Sequence, residues 1–131
     1  MKRTILIAAV FAALFSSVVF AHHSTAMFDE RNPVTVTGVV KEFRWTNPHA
    51  FLLVELKGAN GQPEDWLVEW HSTSILLRRG YSKDTVKPGD VLTLTGGKMK
   101  DGSKMMRMLR ATTADGKKLW GDDSGNNEAE R

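Results

Sequence analysis

The chain has no cysteine and no recognisable catalytic motif. Without cysteine there can be no disulfide bonds, so a hydrophobic core alone must stabilise the fold. The sequence contains no Gly-x-Ser-x-Gly elbow, phosphate-binding loop or His-Glu-x-x-His motif, and no spacing singles out a pair of carboxylates as acid and base. The sequence therefore predicts a protein without enzymatic activity.

The segment 1–21 has the pattern of a secretory signal peptide. Two basic residues open it, the stretch 5–20 is apolar apart from two serines, and Val19-Phe20-Ala21 is a suitable cleavage sequence. An uncleaved anchor helix is the alternative, but the apolar stretch is shorter than the roughly 20 residues that a bilayer core needs. We expect cleavage after Ala21, export to the periplasm, and no stable membrane insertion of the cleaved chain.

A strong excess of charge is also missing once this segment is removed. The chain has 18 basic and 15 acidic residues, and the charged residues of the leader, Lys2 and Arg3, are both basic. The mature chain is therefore close to neutral, whereas binding to nucleic acid depends on a dense basic face. From this balance we expect no nucleic-acid partner.

Short apolar runs separated by turn residues predict five β-strands. The predicted strands cover residues 34–45, 49–56, 65–71, 91–95 and 105–113. Between the third and fourth strands, Ser72 or Thr73 caps a helix of about two turns that stops at Gly80. In the first strand the apolar side chains change sides near Gly38, and a glycine there fits a bulge or a strong bend.

This order of elements predicts the fold class. Five strands with one short helix between strands 3 and 4 correspond to the OB fold, an all-β, five-stranded Greek-key barrel. An open β-sandwich is the alternative, although it gives no reason for a helix in that place. A chain of about 110 residues can bury roughly 65% of its unfolded surface, which suffices for one domain. We predict an OB-like domain over 22–120 with an extended lead-in over 22–33, followed by a disordered polar tail over 121–131.

Several short motifs are spread along the chain after the leader. They are HHS at 22–24, MFD at 27–29, the strand 38–45, NPHA at 47–50, Trp66 with Glu69, Arg79-Gly80, and the Asp-Gly turns at 101–102 and 115–116. Together these motifs resemble a bacterial family of short exported proteins of unknown function. The resemblance implies a small periplasmic protein and carries over no catalytic residue. In fold and compartment the chain is also similar to periplasmic OB-fold proteins linked to stress tolerance, and to the small periplasmic copper chaperone by analogy of fold alone.

The four histidines suggest a metal site. After cleavage His22 would be the first residue, and its amine and ring Nδ1 can chelate one metal ion together. Divalent copper favours such nitrogen ligands, and His23, His49 and His71 complete a site if the barrel brings them near. Without a metal, His22 and His23 are an exposed polar end, His49 hydrogen-bonds its corner, and His71 ends a strand. The first hypothesis is a periplasmic binding protein whose cofactor is a copper-like transition metal.

Methionines form a second, softer set of ligands. Met99, Met105, Met106 and Met108 lie around the predicted hairpin at Asp101-Gly102. Thioethers suit Cu(I), but methionine more often packs the interior of a barrel. We expect these side chains to pack rather than to bind metal.

The corner Trp45-Thr46-Asn47-Pro48-His49 is the most distinctive local sequence. Trp66 and Trp70 share one face of a strand and are predicted to be buried, whereas Trp45 is the tryptophan expected to be partly exposed. The second hypothesis is a metal-free module that binds a small organic, glycan or peptide ligand through Trp45, Asn47 and His49. The third is an envelope interaction protein without a small ligand.

Overall fold

The computed structural model of the chain describes residues 26–121, which form six strands and one helix. The elements are β1 (Phe28–Arg44), β2 (Phe51–Lys57), β3 (Pro63–Glu69), α1 (Thr73–Arg78), β4 (Val91–Met99), β5 (Met105–Thr113) and β6 (Lys118–Trp120). The predicted signal peptide at 1–21 and the tail residues 122–131 lie outside the described residues. Within 26–121 no helix has the length and apolar character to cross a membrane.

Five of the strands close into a ring. β1 pairs antiparallel with both β2 and β4, β2 pairs with β3, and β4 pairs with β5. A parallel pairing between β3 and β5 closes the ring, and β6 adds a short edge to β5. The ring order β1-β2-β3-β5-β4, with α1 between β3 and β4, is that of an OB fold. The prediction of an all-β, OB-like barrel is therefore confirmed.

Helix α1 covers one end of this barrel. Ser72 caps the helix, because its side chain accepts a hydrogen bond from the backbone N–H of Ile75 at 3.4 Å. Leu76 is fully buried, and Gly80 ends the helix with a positive φ of 83°. The helix follows the end of β3, and its first residue is bound by Asn47, which precedes β2. It therefore lies at the end of the barrel where β3 finishes and β2 starts.

A bulge at Lys41 brings apolar side chains of both odd and even positions in β1 to the core side. The register with β2 shifts there by one residue, so Val40 before the bulge and Phe43 after it both contact the core. The change of face predicted near Gly38 therefore occurs later in the strand. Gly38 remains on the inward side, because a Cβ atom there would overlap Leu56 of the neighbouring strand.

β1 also starts earlier than predicted. The lead-in expected over 22–33 is already strand from Phe28, which is buried and pairs with Met99 of β4. The register slips between Asp29 and Val34, and the chain passes over Gly97, where a Cβ atom would lie 2.8 Å from the Asp29 carbonyl carbon. Isolated Phe28 in a polar segment gave no periodic signal for this pairing.

The core is richest in aromatic rings at the helix end. Trp70 is only 2% exposed, as predicted, and its ring centroid lies 5.3 Å from that of Tyr81 and 5.4 Å from that of Trp120. Met106 and Met108 are also buried in the core. Trp66, which we expected to be buried as well, is only half-buried. The difference arises because Trp66 lies at the opposite end of β3.

Candidate functional site

The end of the barrel opposite α1 forms a cavity of about 340 Å³, which we call the barrel mouth. All five strands of the ring contribute to its lining. The lining residues are Val36, Thr37, Leu56, Lys57, Gly58, Ala59, Glu64, Trp66, Lys98 and Met106. The cavity lies where β2 ends and β3 begins, whereas α1 lies where β3 ends and β2 begins. The mouths of barrels are common places for ligand sites.

Trp66 forms an aromatic wall of the mouth. Its Nε1 donates a hydrogen bond to Glu64 Oε2 at 3.2 Å, and Lys98 Nζ lies 5.2 Å from the ring centroid in a cation–π contact. Leu56 and Met106, both buried, supply apolar surface beneath it. The mouth therefore combines an indole held in a defined orientation with an apolar floor and a charged rim.

The corner at 45–49 lies at the other end of the barrel, and its polar groups are engaged in the fold. Asn47 Oδ1 accepts a hydrogen bond from Thr73 Oγ1 at 2.7 Å, and Thr46 Oγ1 donates to the backbone carbonyl of His49 at 2.9 Å. The Asn47–Pro48 peptide bond is cis. Trp45 is half-buried, with its ring centroid 5.6 Å from that of Phe43. Asn47, expected to contact a ligand, thus connects the corner to the first turn of α1.

His49 belongs to a row of ionisable groups on the outer wall of the barrel. Its Nδ1 lies 3.6 Å from Glu69 Oε1, and Glu69 pairs in register with Arg107 of β5. Arg107 Nη1 in turn lies 3.2 Å from Glu30 Oε1. Glu69 is only 6% exposed, and its burial raises the pKa of its carboxyl above the ordinary value. His49 and Arg107 oppose this rise, and Glu30 adds to it.

The raised pKa of Glu69 predicts how stability depends on pH. A carboxyl with a higher pKa in the folded state stabilises the fold fully below its unfolded pKa of 4.5, and this contribution is lost as pH rises through the folded pKa. We expect Glu69→Gln to raise Tm by a few degrees at pH 7 to 8 and to flatten the decline of Tm above pH 4.5. Thermal unfolding across this pH range measures the effect. Glu55→Gln, which changes an exposed carboxylate, is the control, and a lower Tm for Glu69→Gln at neutral pH would contradict the assignment.

The histidines that the structure describes have separate surroundings. His49 faces Glu69, whereas the ring centroid of His71 lies 4.6 Å from that of Trp120. In the range 26–121 no three His, Cys, Asp or Glu residues are grouped so that they could hold a metal ion. His22 and His23 lie outside this range, so the site of four histidines stays a prediction.

Sequence reasoning did not find the mouth. It assigned Trp66 to the core and did not single out Glu64, Lys57 or Lys98. One signal was present: Glu64 alternates with Trp66 and therefore lies on the same face of β3. A glutamate on an otherwise apolar face indicates that this end of the strand reaches solvent.

Comparison with known proteins gives one family match. A model described as "Family of unknown function (DUF6152)" matches residues 10–107. Among curated proteins no match is found. Among solved structures the chain is similar to Rim1, a mitochondrial single-stranded DNA-binding protein from S. cerevisiae, at 11% identity and a TM-score of 0.46. The match covers 63% of this chain and 94% of that chain.

This similarity corrects one expectation. We excluded a nucleic-acid partner on the balance of charge, and a single-stranded DNA-binding protein among the similar structures contradicts that exclusion. Net charge was an insufficient criterion, because OB barrels hold single strands through stacked aromatic side chains and a locally positive groove. A chain that is nearly neutral overall can still carry such a local surface.

Proposed function

The chain belongs to the DUF6152 family of unknown function, and we propose that it is an exported, periplasmic protein that binds a small organic molecule in the barrel mouth. Membership agrees with the resemblance to a family of unknown function that the sequence motifs predicted. Export rests on the leader pattern at 1–21. The observation that supports binding is the cavity of about 340 Å³ with Trp66 in its wall. Ligand sites typically measure about 300–1,000 Å³ and combine apolar walls with a few polar groups.

The mouth supports this function better than the corner does. At the corner, the side-chain oxygen of Asn47 already accepts two hydrogen bonds from Thr73, through its hydroxyl and its backbone N–H. At the mouth, the face of Trp66, the apolar floor and the rim lysines all line one concave space. We propose binding rather than catalysis because the sequence has none of the catalytic motifs considered above.

A fluorescence titration with N-phenyl-1-naphthylamine, a neutral aromatic probe, tests the proposal. Val36 lines the mouth, so Val36→Phe should occupy part of the cavity and weaken binding about tenfold or more. Val39→Phe is the matched control, because Val39 lies on the same strand but is 41% exposed on the outer wall. Equal affinity of both variants, or no binding by the wild-type protein, would overturn the proposal.

A single-stranded oligonucleotide serves as a competitor in the same titration. An indole flanked by lysines is also suited to stacking a base and contacting its phosphate. If oligothymidylate displaces the probe at micromolar concentration, the occupant of the mouth is nucleic acid and the small-molecule assignment is wrong. If it does not, the assignment to a small molecule stands.

The copper hypothesis is a separate prediction that concerns the processed N-terminus. We expect the exported chain to begin at His22 and to bind Cu(II) more tightly than micromolar, because the terminal amine and the ring chelate together. Adding one residue before His22 should loosen this binding strongly, whereas His71→Gln tests the contribution of a barrel histidine. Isothermal titration of the processed protein measures both effects. Unchanged affinity after the extension would exclude the terminal chelate.

A further inference from the structure

The rim of the barrel mouth carries more positive than negative charge. Lys57 and Lys98 line the cavity, and in residues 26–121 neither of them lies in an ion pair with a carboxylate. Lys98 contacts the face of Trp66 instead. Both lysines therefore border the cavity without a carboxylate partner among these residues, and the ammonium of Lys98 lies at the indole face.

The acidic residue of the lining is already satisfied. Glu64 accepts the hydrogen bond from Trp66 Nε1 through Oε2, and its Oε1 lies 3.4 Å from Lys104 Nζ. Its side chain also packs closely on Gly58, where an added Cβ atom would lie 2.7 Å from Glu64 Oε1. Lys104 thus offsets the charge of Glu64, and the charges of Lys57 and Lys98 remain uncompensated.

We propose that the barrel mouth selects a small organic anion, a flat apolar molecule that carries one carboxylate, sulfonate or phosphate group. Its apolar body contacts Trp66, Leu56 and Met106, and its anionic group pairs with Lys57 and Lys98. This inference rests on the proposed function, since it specifies which ligands the same cavity accepts. An ion pair in a concave, partly desolvated site is stronger than one on an open surface. A neutral ligand of the same shape gains only the apolar contacts.

Glu64 acts in this site as a positioning residue. It holds the indole of Trp66 by a hydrogen bond, yet its negative charge opposes an incoming anion. Glutamine at this position keeps a side-chain oxygen that can accept from Nε1, but it removes the charge. Alanine removes both. The two substitutions are therefore expected to change the affinity for an anion in opposite directions.

Two probes that differ by one charged group test the inference. 8-Anilinonaphthalene-1-sulfonate has the skeleton of N-phenyl-1-naphthylamine with an added sulfonate. We expect the wild-type protein to bind the sulfonate about tenfold more tightly than the neutral probe. This preference should shrink as salt is raised from about 0.01 M to about 1 M, because screening weakens the ion pairs.

Charge variants of the rim then locate the preference. The double variant Lys57→Gln/Lys98→Gln should lose the preference for the sulfonate, so that the ratio of its affinities for the two probes falls from about tenfold to about one. Lys83→Gln, an exposed lysine in the loop before β4, is the control for nonspecific attraction. Glu64→Gln should tighten sulfonate binding, and Glu64→Ala should weaken the binding of both probes.

The outcomes separate this inference from the function on which it rests. If the wild-type protein binds both probes equally, the mouth is a binding site without selection for anions, and only the present inference fails. If the double variant keeps the full preference for the sulfonate, the assigned lysines are wrong. If neither probe binds, the proposed function itself fails.

Discussion

Trp66→Ala is expected to weaken the binding of N-phenyl-1-naphthylamine by about tenfold or more, which corresponds to about 1.4 kcal/mol. The substitution removes the aromatic wall of the barrel mouth and the apolar area that a bound ring would cover. It also leaves Glu64 without its indole donor and Lys98 without the ring beneath its ammonium group. Trp66 is only half-buried in the fold. We nevertheless expect its removal to weaken binding, because the ring lines the cavity.

Trp45→Ala is the matched control for this experiment. Trp45 is also half-buried, but it lies at the corner near the helix end of the barrel, away from the mouth. Trp66→Phe adds an intermediate variant that keeps a ring and loses Nε1, so it should retain part of the affinity. Circular dichroism of all three variants checks that the barrel is folded. Loss of binding in Trp45→Ala with full binding in Trp66→Ala would place the ligand at the corner instead.

Gly38→Ala is expected to destabilise the barrel by about 1–3 kcal/mol, the usual cost of overpacking. A Cβ atom at this position would lie 2.6 Å from the Glu55 carbonyl oxygen and 2.6 Å from Val54 Cγ1. The backbone oxygen cannot move away without disturbing the pairing of β1 with β2, in which Gly38 faces Leu56. Relief of the overlap therefore requires a shift of a whole strand.

Gly58→Ala is the control for Gly38→Ala. The nearest atoms to a Cβ there belong to the side chain of Glu64, which can rotate. We expect Gly58→Ala to cost much less stability, and chemical denaturation of both variants measures the difference. Equal stability of the two variants would show that β1 and β2 approach each other less closely at Gly38 than described.

The strand order was predictable because local signals mark almost every boundary. Turn residues separate the apolar runs, and Ser72 and Gly80 bracket the helix with their expected capping chemistry. Such signals depend on neighbouring residues in the chain. The extra residue at Lys41 and the early start at Phe28 depend instead on which strands lie beside β1.

The candidate site was harder to predict because it, too, depends on which strands lie side by side in the barrel. The mouth brings together side chains from all five strands of the ring, so no single segment of sequence contains it. Parity placed Trp66 and Trp70 on one face, but it could not show that Trp66 reaches the mouth while Trp70 packs against Tyr81 and Trp120. Glu69 was noted in a short motif with Trp66, and its contact with His49 joins the end of β3 to the corner.

The central claim is that the barrel mouth, rather than the corner, is the binding site. Chemical-shift mapping of the ¹⁵N-labelled protein during titration with 8-anilinonaphthalene-1-sulfonate tests it most directly. We predict the largest shifts at the Trp66 indole N–H and at the backbone amides of Lys57 and Lys98, with little change at Asn47 and His49. Largest shifts at Asn47 and His49, with the mouth unchanged, would contradict the claim.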